Sequence, residues 1–219
     1  MARHKKPDRD TLKQDTLNKA YARWAPVYDK VFGKVFDSGR KASIAEAERI
    51  GGYILDVGIG TGISLLDFSR TNRIVGVDIS EPMLRRAHQR VIEENLTNVE
   101  CLAVMDAEKL GFPDSSFDVL VAQYVITAVP NPDATLDEFV RVTKPGGEII
   151  MVNHIGADTG PRYLFEKNFA PIARRLGWRP EFKWARIADW VARTKNVTLL
   201  ERRPMPPMGH FSLIRIGKN

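Results

Sequence analysis

The middle of the chain alternates between short apolar runs and longer amphipathic ones. Tyr53-Ile54-Leu55-Asp56-Val57 carries four apolar residues in five, as a parallel strand covered on both faces does. Gly58-Ile59-Gly60-Thr61-Gly62 follows, and a helix is predicted to start near Ile63. In full, the pattern predicts strand 54–58, helix 63–70, strand 74–78, helix 81–95, strand 99–104, strand 118–122, helix 133–142 and strand 147–152. Strands separated by helices imply an α/β fold with a parallel, doubly wound sheet. Asn95-Leu96-Thr97-Asn98 reads as a helix exit, and Lys144-Pro145-Gly146-Gly147 as a tight turn before a strand.

The flanks follow a different rhythm. Asp10 to Trp24 is helical in pattern, with Leu17, Tyr21 and Trp24 on one face. Pro26 opens a second predicted helix, reaching about Asp37 and carrying Val27, Tyr28, Val31, Phe32, Val35 and Phe36. Ser38-Gly39 punctuates, and a third helix is predicted from Arg40 to Ile50. Lys30, Lys34 and, just after the helix, Arg40 and Lys41 surround the second helix's wide apolar face. That face reads either as docked on the sheet or as an interfacial helix or lid. Beyond Gly156, Arg162–Leu176 is an amphipathic basic helix in pattern and Ile187–Thr194 a short one. Val197–Arg202 and His210–Ile216 read as strands.

Composition narrows the function. At 219 residues the chain suits one domain with a full core. The single Cys101 excludes a disulfide framework within one chain, and His4, His88, His154 and His210 are scattered without metal-ligand spacing, so no metal is expected. The charged MARHKKPDRD start lacks the apolar core of a signal peptide, and no run reaches the ~20 apolar residues that span a bilayer. A cytoplasmic location is expected. Residues 1–50 carry 12 Lys/Arg against 7 Asp/Glu, residues 51–160 carry 8 against 16, and residues 161–219 carry 13 against 4. An acidic centre flanked by basic ends points to an anionic partner, with nucleic acid and anionic lipid as the two obvious ones.

The glycine stretch carries the chemistry. Glycines at 58, 60 and 62 give G-x-G-x-G rather than the dinucleotide register G-x-G-x-x-G. Ile74-Val75-Gly76-Val77-Asp78 then reads as a second strand ending in a carboxylate, placed to accept both hydroxyls of a ribose. LDVGIGTG followed by VGVDIS resembles the nucleoside-binding half of class I S-adenosylmethionine (SAM) methyltransferases. Met105-Asp106-Ala107, the stretch Leu110–Asp118 and Val142–Gly147 continue that resemblance over roughly residues 53–152. It implies a Rossmann-like sheet of seven strands, the last antiparallel, with an N-terminal helical extension. It also implies SAM as cofactor, with S-adenosylhomocysteine as product. The expected cofactor contacts are Asp56, Gly58, Ile59, Gly60 and Gly62 at the turn, then Asp78, Ile79 and Met83. Met105, Asp106 and Ala107 follow, with Asp106 accepting from the adenine amino group, and Gln123 and Tyr28 complete the set. At the carboxyl ends of the fourth and fifth strands stand Gln123-Tyr124 and Asn153-His154. His154 is the candidate proton acceptor; Tyr124 is the candidate for orienting an amine by a hydrogen bond or cation–π contact.

A second resemblance is narrower. Ala20–Asp29, with Val31-Phe32-Gly33 and Ser38-Gly39-Arg40, is similar to the N-terminal region of the Rhodobacter-type bacterial phosphatidylethanolamine N-methyltransferases. That family usually has a cysteine where Ile59 stands. The resemblance implies a phospholipid acceptor, methylated stepwise to phosphatidylcholine by an enzyme peripheral to the inner face of the cytoplasmic membrane. Tyr21 and Tyr28 would close over the cofactor and head group, with residues 1–50 as lid and 51–219 as SAM-binding domain. Arg9, Lys13, Lys19, Arg174, Arg175 and Arg179 would dock on anionic lipid, and Trp24, Trp178 or Phe32 would insert. A methyltransferase of quinone precursors or other small molecules is the rival within the class. A nucleic-acid-binding protein is the rival outside it, although no nucleic-acid module is recognisable and no such partner is expected.

Overall fold

The computed structural model describes residues 28–156, 182–206 and 209–219, with side chains from Phe36 onward. Its strands are β1 (Tyr53–Val57), β2 (Arg73–Asp78), β3 (Val99–Val104), β4 (Phe117–Gln123), β5 (Thr143–His154), β6 (Val197–Met205) and β7 (Phe211–Lys218). They form one sheet in the order β3-β2-β1-β4-β5-β7-β6. β1 to β5 run parallel, and β7 is antiparallel to both its neighbours. The chain winds one way from β1 and the other way from β4. The crevice outside their carboxyl ends is where ligands bind in such sheets.

Two helical layers cover the sheet. Helix α1 (Tyr28–Ile50) and helix α2 (Glu81–Glu93) lie on one face, where Ile44 and Leu84 pack with Ile54, Ile74, Val119, Val121 and Ile150. Helices α3 (Pro132–Val142) and α4 (Trp184–Arg193) cover the other, where Phe139 and Trp190 pack with Leu55, Val57, Leu120 and Met151. Neighbouring residues of a strand thus bury themselves in opposite layers, which is why the central strands read as continuous apolar runs. At about 1.5–3 kcal/mol for each buried large side chain, these two layers dominate the stabilisation.

Four expectations need correction. The second and third N-terminal helices are one, because Ser38-Gly39 does not break α1. A Cβ on Gly39 would stand 2.6 Å from the Tyr124 hydroxyl and 2.7 Å from Val152 Cγ1, so this glycine serves close helix–sheet approach. The helix expected over 63–70 shrinks to a 3-10 turn, Ile63–Leu66. Side chains grip the residues that would have extended it: Asp67 pairs with Arg40, and the Ser69 N–H donates to Glu48 Oε1 at 2.9 Å. Lys144–Gly147 lies inside β5 rather than before it. The register jumps from Phe117↔Thr143 to Val119↔Glu148, and Gly146 takes up the bulge at φ 79°. Finally, Arg40 is no surface cation: it is 8% exposed and ion-paired to Asp37 and Asp67. The predicted helices 10–24 and 162–176 lie outside the described residues.

Candidate active site

The glycine turn leaves β1 between two walls. The N–H groups of Gly58 and Ile59 both donate to the Val77 carbonyl, at 2.8 and 3.1 Å, binding the turn to β2. A Cβ on Gly58 would lie 2.2 Å from Val125 Cγ2, whereas one on Gly60 would meet nothing within 4 Å. The turn is therefore packed at its root and open at its crest. Its far end is clamped from outside by two arginines. Arg90 of α2 donates to the Thr61 carbonyl at 2.6 Å, and Arg40 of α1 donates to the Ile63 carbonyl at 3.4 Å.

Two carboxylates stand beside it. Asp78, at the carboxyl end of β2, accepts the Gly60 N–H on Oδ2 at 2.9 Å and the Ser80 N–H on Oδ1 at 2.7 Å. Burial pushes its carboxyl above the ordinary range, against the backbone N–H groups that favour the anion. Asp56 is 1% exposed, on the α1 face of β1, and accepts from the Ser64 hydroxyl at 2.7 Å. Burial pushes its carboxyl up to about 7, with Ser64 opposing and Asp78 adding to the rise. Asp56 holds the turn from below.

Past β4 the backbone enters left-handed space at Tyr124, φ 64°, an uncommon conformation for a bulky residue. The Tyr124 hydroxyl donates to the Phe36 carbonyl of α1 at 3.1 Å, and its ring packs 4.2 Å from Phe36 and 5.4 Å from Phe211. Gln123 donates to the Ser43 hydroxyl at 2.9 Å, so both residues expected to face the ligand are tied to α1. His154 ends β5, stacked 6.2 Å from His210 and edge-on to Phe211 at 6.2 Å. Tyr28 is described only as helical backbone, and Tyr21 lies outside the described residues.

A model of the methyltransferase domain matches residues 55–151. Beyond that domain, 208 residues, 94% of this chain, are 39% identical to the whole length of the phosphatidylethanolamine N-methyltransferase of Cereibacter sphaeroides. The chain belongs to that methyltransferase family. A ubiquinone/menaquinone biosynthesis C-methyltransferase of Burkholderia cenocepacia is 36% identical, but over only 50% of this chain and 46% of its own. Among solved structures, phosphoethanolamine N-methyltransferase 2 of Haemonchus contortus shares the fold at a TM-score of 0.65 and 23% identity. The match covers 84% of this chain and 44% of that one. The seven-stranded Rossmann-like fold and dependence on SAM follow from membership.

The residues of this methyltransferase fit the cofactor. Asp78 accepts the backbone N–H groups of Gly60, Ser80 and Ile79, and a carboxylate's remaining lone-pair capacity can take a ribose hydroxyl. Beside it Ile79 leaves 38% of its surface exposed, an apolar face for a purine. The Met105 N–H donates to the Asp78 carbonyl at 3.1 Å, which brings the Met105–Ala107 segment to the same spot. There Asp106 Oδ1 accepts the Glu108 N–H at 2.9 Å, leaving Oδ2 without a partner among the described residues. Gly60 supplies open backbone. Ile59 and Met83 are buried, with Ile59 filling the room that Gly76 leaves in β2. Only their main chain could face a ligand there.

The sequence reading missed Arg40 and Arg90, which hold the turn, Ser43, which holds the β4 end, and Glu48, which holds the segment before β2 through Ser69 and Asn72. A glycine inside an otherwise unbroken helical pattern was the available sign that α1 meets the site closely. Among the described residues no group of three His, Cys, Asp or Glu could hold a metal ion.

Proposed function

We propose that this enzyme methylates the amine of phosphatidylethanolamine stepwise, through the mono- and dimethylated lipids, to phosphatidylcholine at a membrane surface. The observation that carries this reading is the full-length match at 39% identity, which extends beyond the cofactor domain into the segments expected to meet the acceptor. The quinone-type relative matches only half the chain, and does not support the rival equally. Among the described residues no helix is long and apolar enough to cross a membrane, so access to the lipid would be by docking. In this reading residues 1–50 cover the acceptor site and 51–219 hold the cofactor, with the basic residues near both ends meeting anionic lipid.

When bound, the cofactor supplies an electrophilic methyl group on a sulfonium. Asp78 and Asp106 orient its ribose and adenine, while the open crest at Gly60 admits it against main chain. The acceptor amine, with a pKa of about 10 in water, must lose a proton before its lone pair can attack. His154 receives that proton at the end of β5. Tyr124, held by Phe36, lines the amine's side of the crevice, and Tyr21 and Tyr28 close over it. Holding the reactants in line and away from water accounts for most of the acceleration.

The test is transfer from labelled SAM to vesicles made with and without phosphatidylethanolamine, with products separated by thin-layer chromatography. Label in the mono-, di- and trimethylated lipids is the expected outcome. Intact SAM binding with no labelled lipid would send the search to small-molecule acceptors.

A further inference from the structure

We propose that Asn153 accepts a hydrogen bond from the acceptor's amine N–H and thereby favours the earlier methyl transfers over the last. The inference rests on the lipid-amine reading above. Asn153 is the penultimate residue of β5, one row beyond the Gln123↔Val152 pair and so level with Tyr124. Val152 faces α1, where it would meet a Gly39 Cβ, so alternation places Asn153 on the opposite face with Ile149 and Met151. It is 0% exposed, and neither its Nδ2 nor its Oδ1 has a hydrogen-bond partner among the described residues.

That arrangement needs a reason. An unpaired buried polar group destabilises a fold, and a leucine of nearly the same volume would remove the penalty beside Met151. The orphaned amide does not sit in mid-strand. It stands at the carboxyl edge of the sheet, where open α/β folds bind their ligands. A primary amine beside a phosphate offers donors to Oδ1 and an acceptor to Nδ2, which together match an asparagine head.

The chemistry gives this role a signature. Attack needs the neutral amine: its lone pair forms the N–C bond while the C–S bond breaks, the electrons going to sulfur. The proton shed beforehand passes to His154 or to water. A neutral primary amine keeps two N–H bonds, a secondary one keeps one, and a tertiary one keeps none. Oδ1 can therefore hold the first two acceptors and not the third.

The experiment measures kcat/KM of wild type, Asn153→Leu and Asn153→Ala on vesicles of phosphatidylethanolamine and of its mono- and dimethylated forms, with SAM affinity and melting temperature alongside. Both variants should lose about tenfold or more on the first acceptor, less on the second, and stay within about twofold on the third. SAM affinity should stay within about twofold of wild type, and Asn153→Leu should melt no lower than wild type. An equal loss on all three lipids would mean a packing or buried-water role, and no loss on any would mean no contact; either overturns the assignment. Wild type that labels none of the lipids overturns the lipid-amine reading itself, and the Asn153 role with it.

Discussion

Asp56 occupies a position where β1 calls for another aliphatic side chain. Leu55 and Val57 pack into the α3–α4 layer and Ile54 into the α1 layer, and Asp56 enters that second layer as a carboxyl. Among the described residues its side-chain partner is the Ser64 hydroxyl, and burial lifts its pKa to about 7. A carboxyl whose pKa is raised on folding favours the unfolded state once the unfolded chain can ionise. Stability should therefore fall as pH rises from about 4 to about 7 and level off above. Asp56→Asn keeps an acceptor for Ser64 and removes this titration. Thermal melting should show the variant equal to wild type near pH 4 and more stable by several degrees near pH 8. A variant less stable at the higher pH would mean that the anion itself holds the turn. This residue was legible as part of the motif, but its burial was not, since only the folded 3-10 turn brings Ser64 to it. Asp78 was readable as a carboxylate beside the glycine turn because its position at a strand end places it directly. Arg40 and Ser43 were not, because their roles depend on how close α1 lies.

That closeness is a property of the element. α1 touches the site at three levels: the Phe36 carbonyl accepts from Tyr124, Ser43 accepts from Gln123, and Arg40 donates to Ile63. Gly39 stands among these contacts, with no space for a Cβ between Tyr124 and Val152. Gly39→Ala improves helix propensity by about 1 kcal/mol, yet should destabilise the protein by about 1–3 kcal/mol, since overpacking outweighs propensity. Urea unfolding checks the stability, and slower methyl transfer should accompany it as Tyr124 is pushed from Phe36. An unfolding midpoint above wild type would show that α1 can shift freely. The same element explains what the pattern could and could not give. β1, β2 and β4 were readable because burial on both faces leaves an unmistakable apolar run. The break at Ser38-Gly39 was misread because a glycine that permits contact looks like one that ends a helix. The lost helix after Gly62 was misread because its local pattern is helical while Arg40 and Glu48 hold it otherwise.

At the scale of the whole molecule, one charge network fastens α1 to the late strands. Arg215 of β7 reaches Glu46 of α1 at 3.3 Å, Glu148 of β5 at 2.9 Å and Glu201 of β6 at 3.2 Å. Arg49 adds a second bond to Glu148 at 2.7 Å, and Arg203 spans Glu46 and Glu201 at 3.4 and 3.2 Å. Isolated surface pairs contribute little, but Arg215 and Glu148 are mostly shielded, and four elements meet on them. Burial alone would raise the Glu148 carboxyl; the bonds from Arg215 and Arg49 outweigh it and hold it below its ordinary range. Such a group lends stability above the ordinary carboxylate pKa and loses it as pH falls through the depressed value. Arg215→Met keeps the aliphatic stem and leaves three glutamates short of a cation. It should lower stability by about 2 kcal/mol near neutral pH, less than for a fully buried pair because Arg215 still meets water at its edge. The difference from wild type should shrink toward pH 3 as the glutamates protonate, which urea midpoints at both pH values measure directly. A gap of the same size at both would assign the effect to lost packing of the arginine stem. A gap that closes would show that the joint between α1 and the antiparallel end of the sheet, and with it the placing of Phe36, Gly39 and Arg40 at the site, is held by charge.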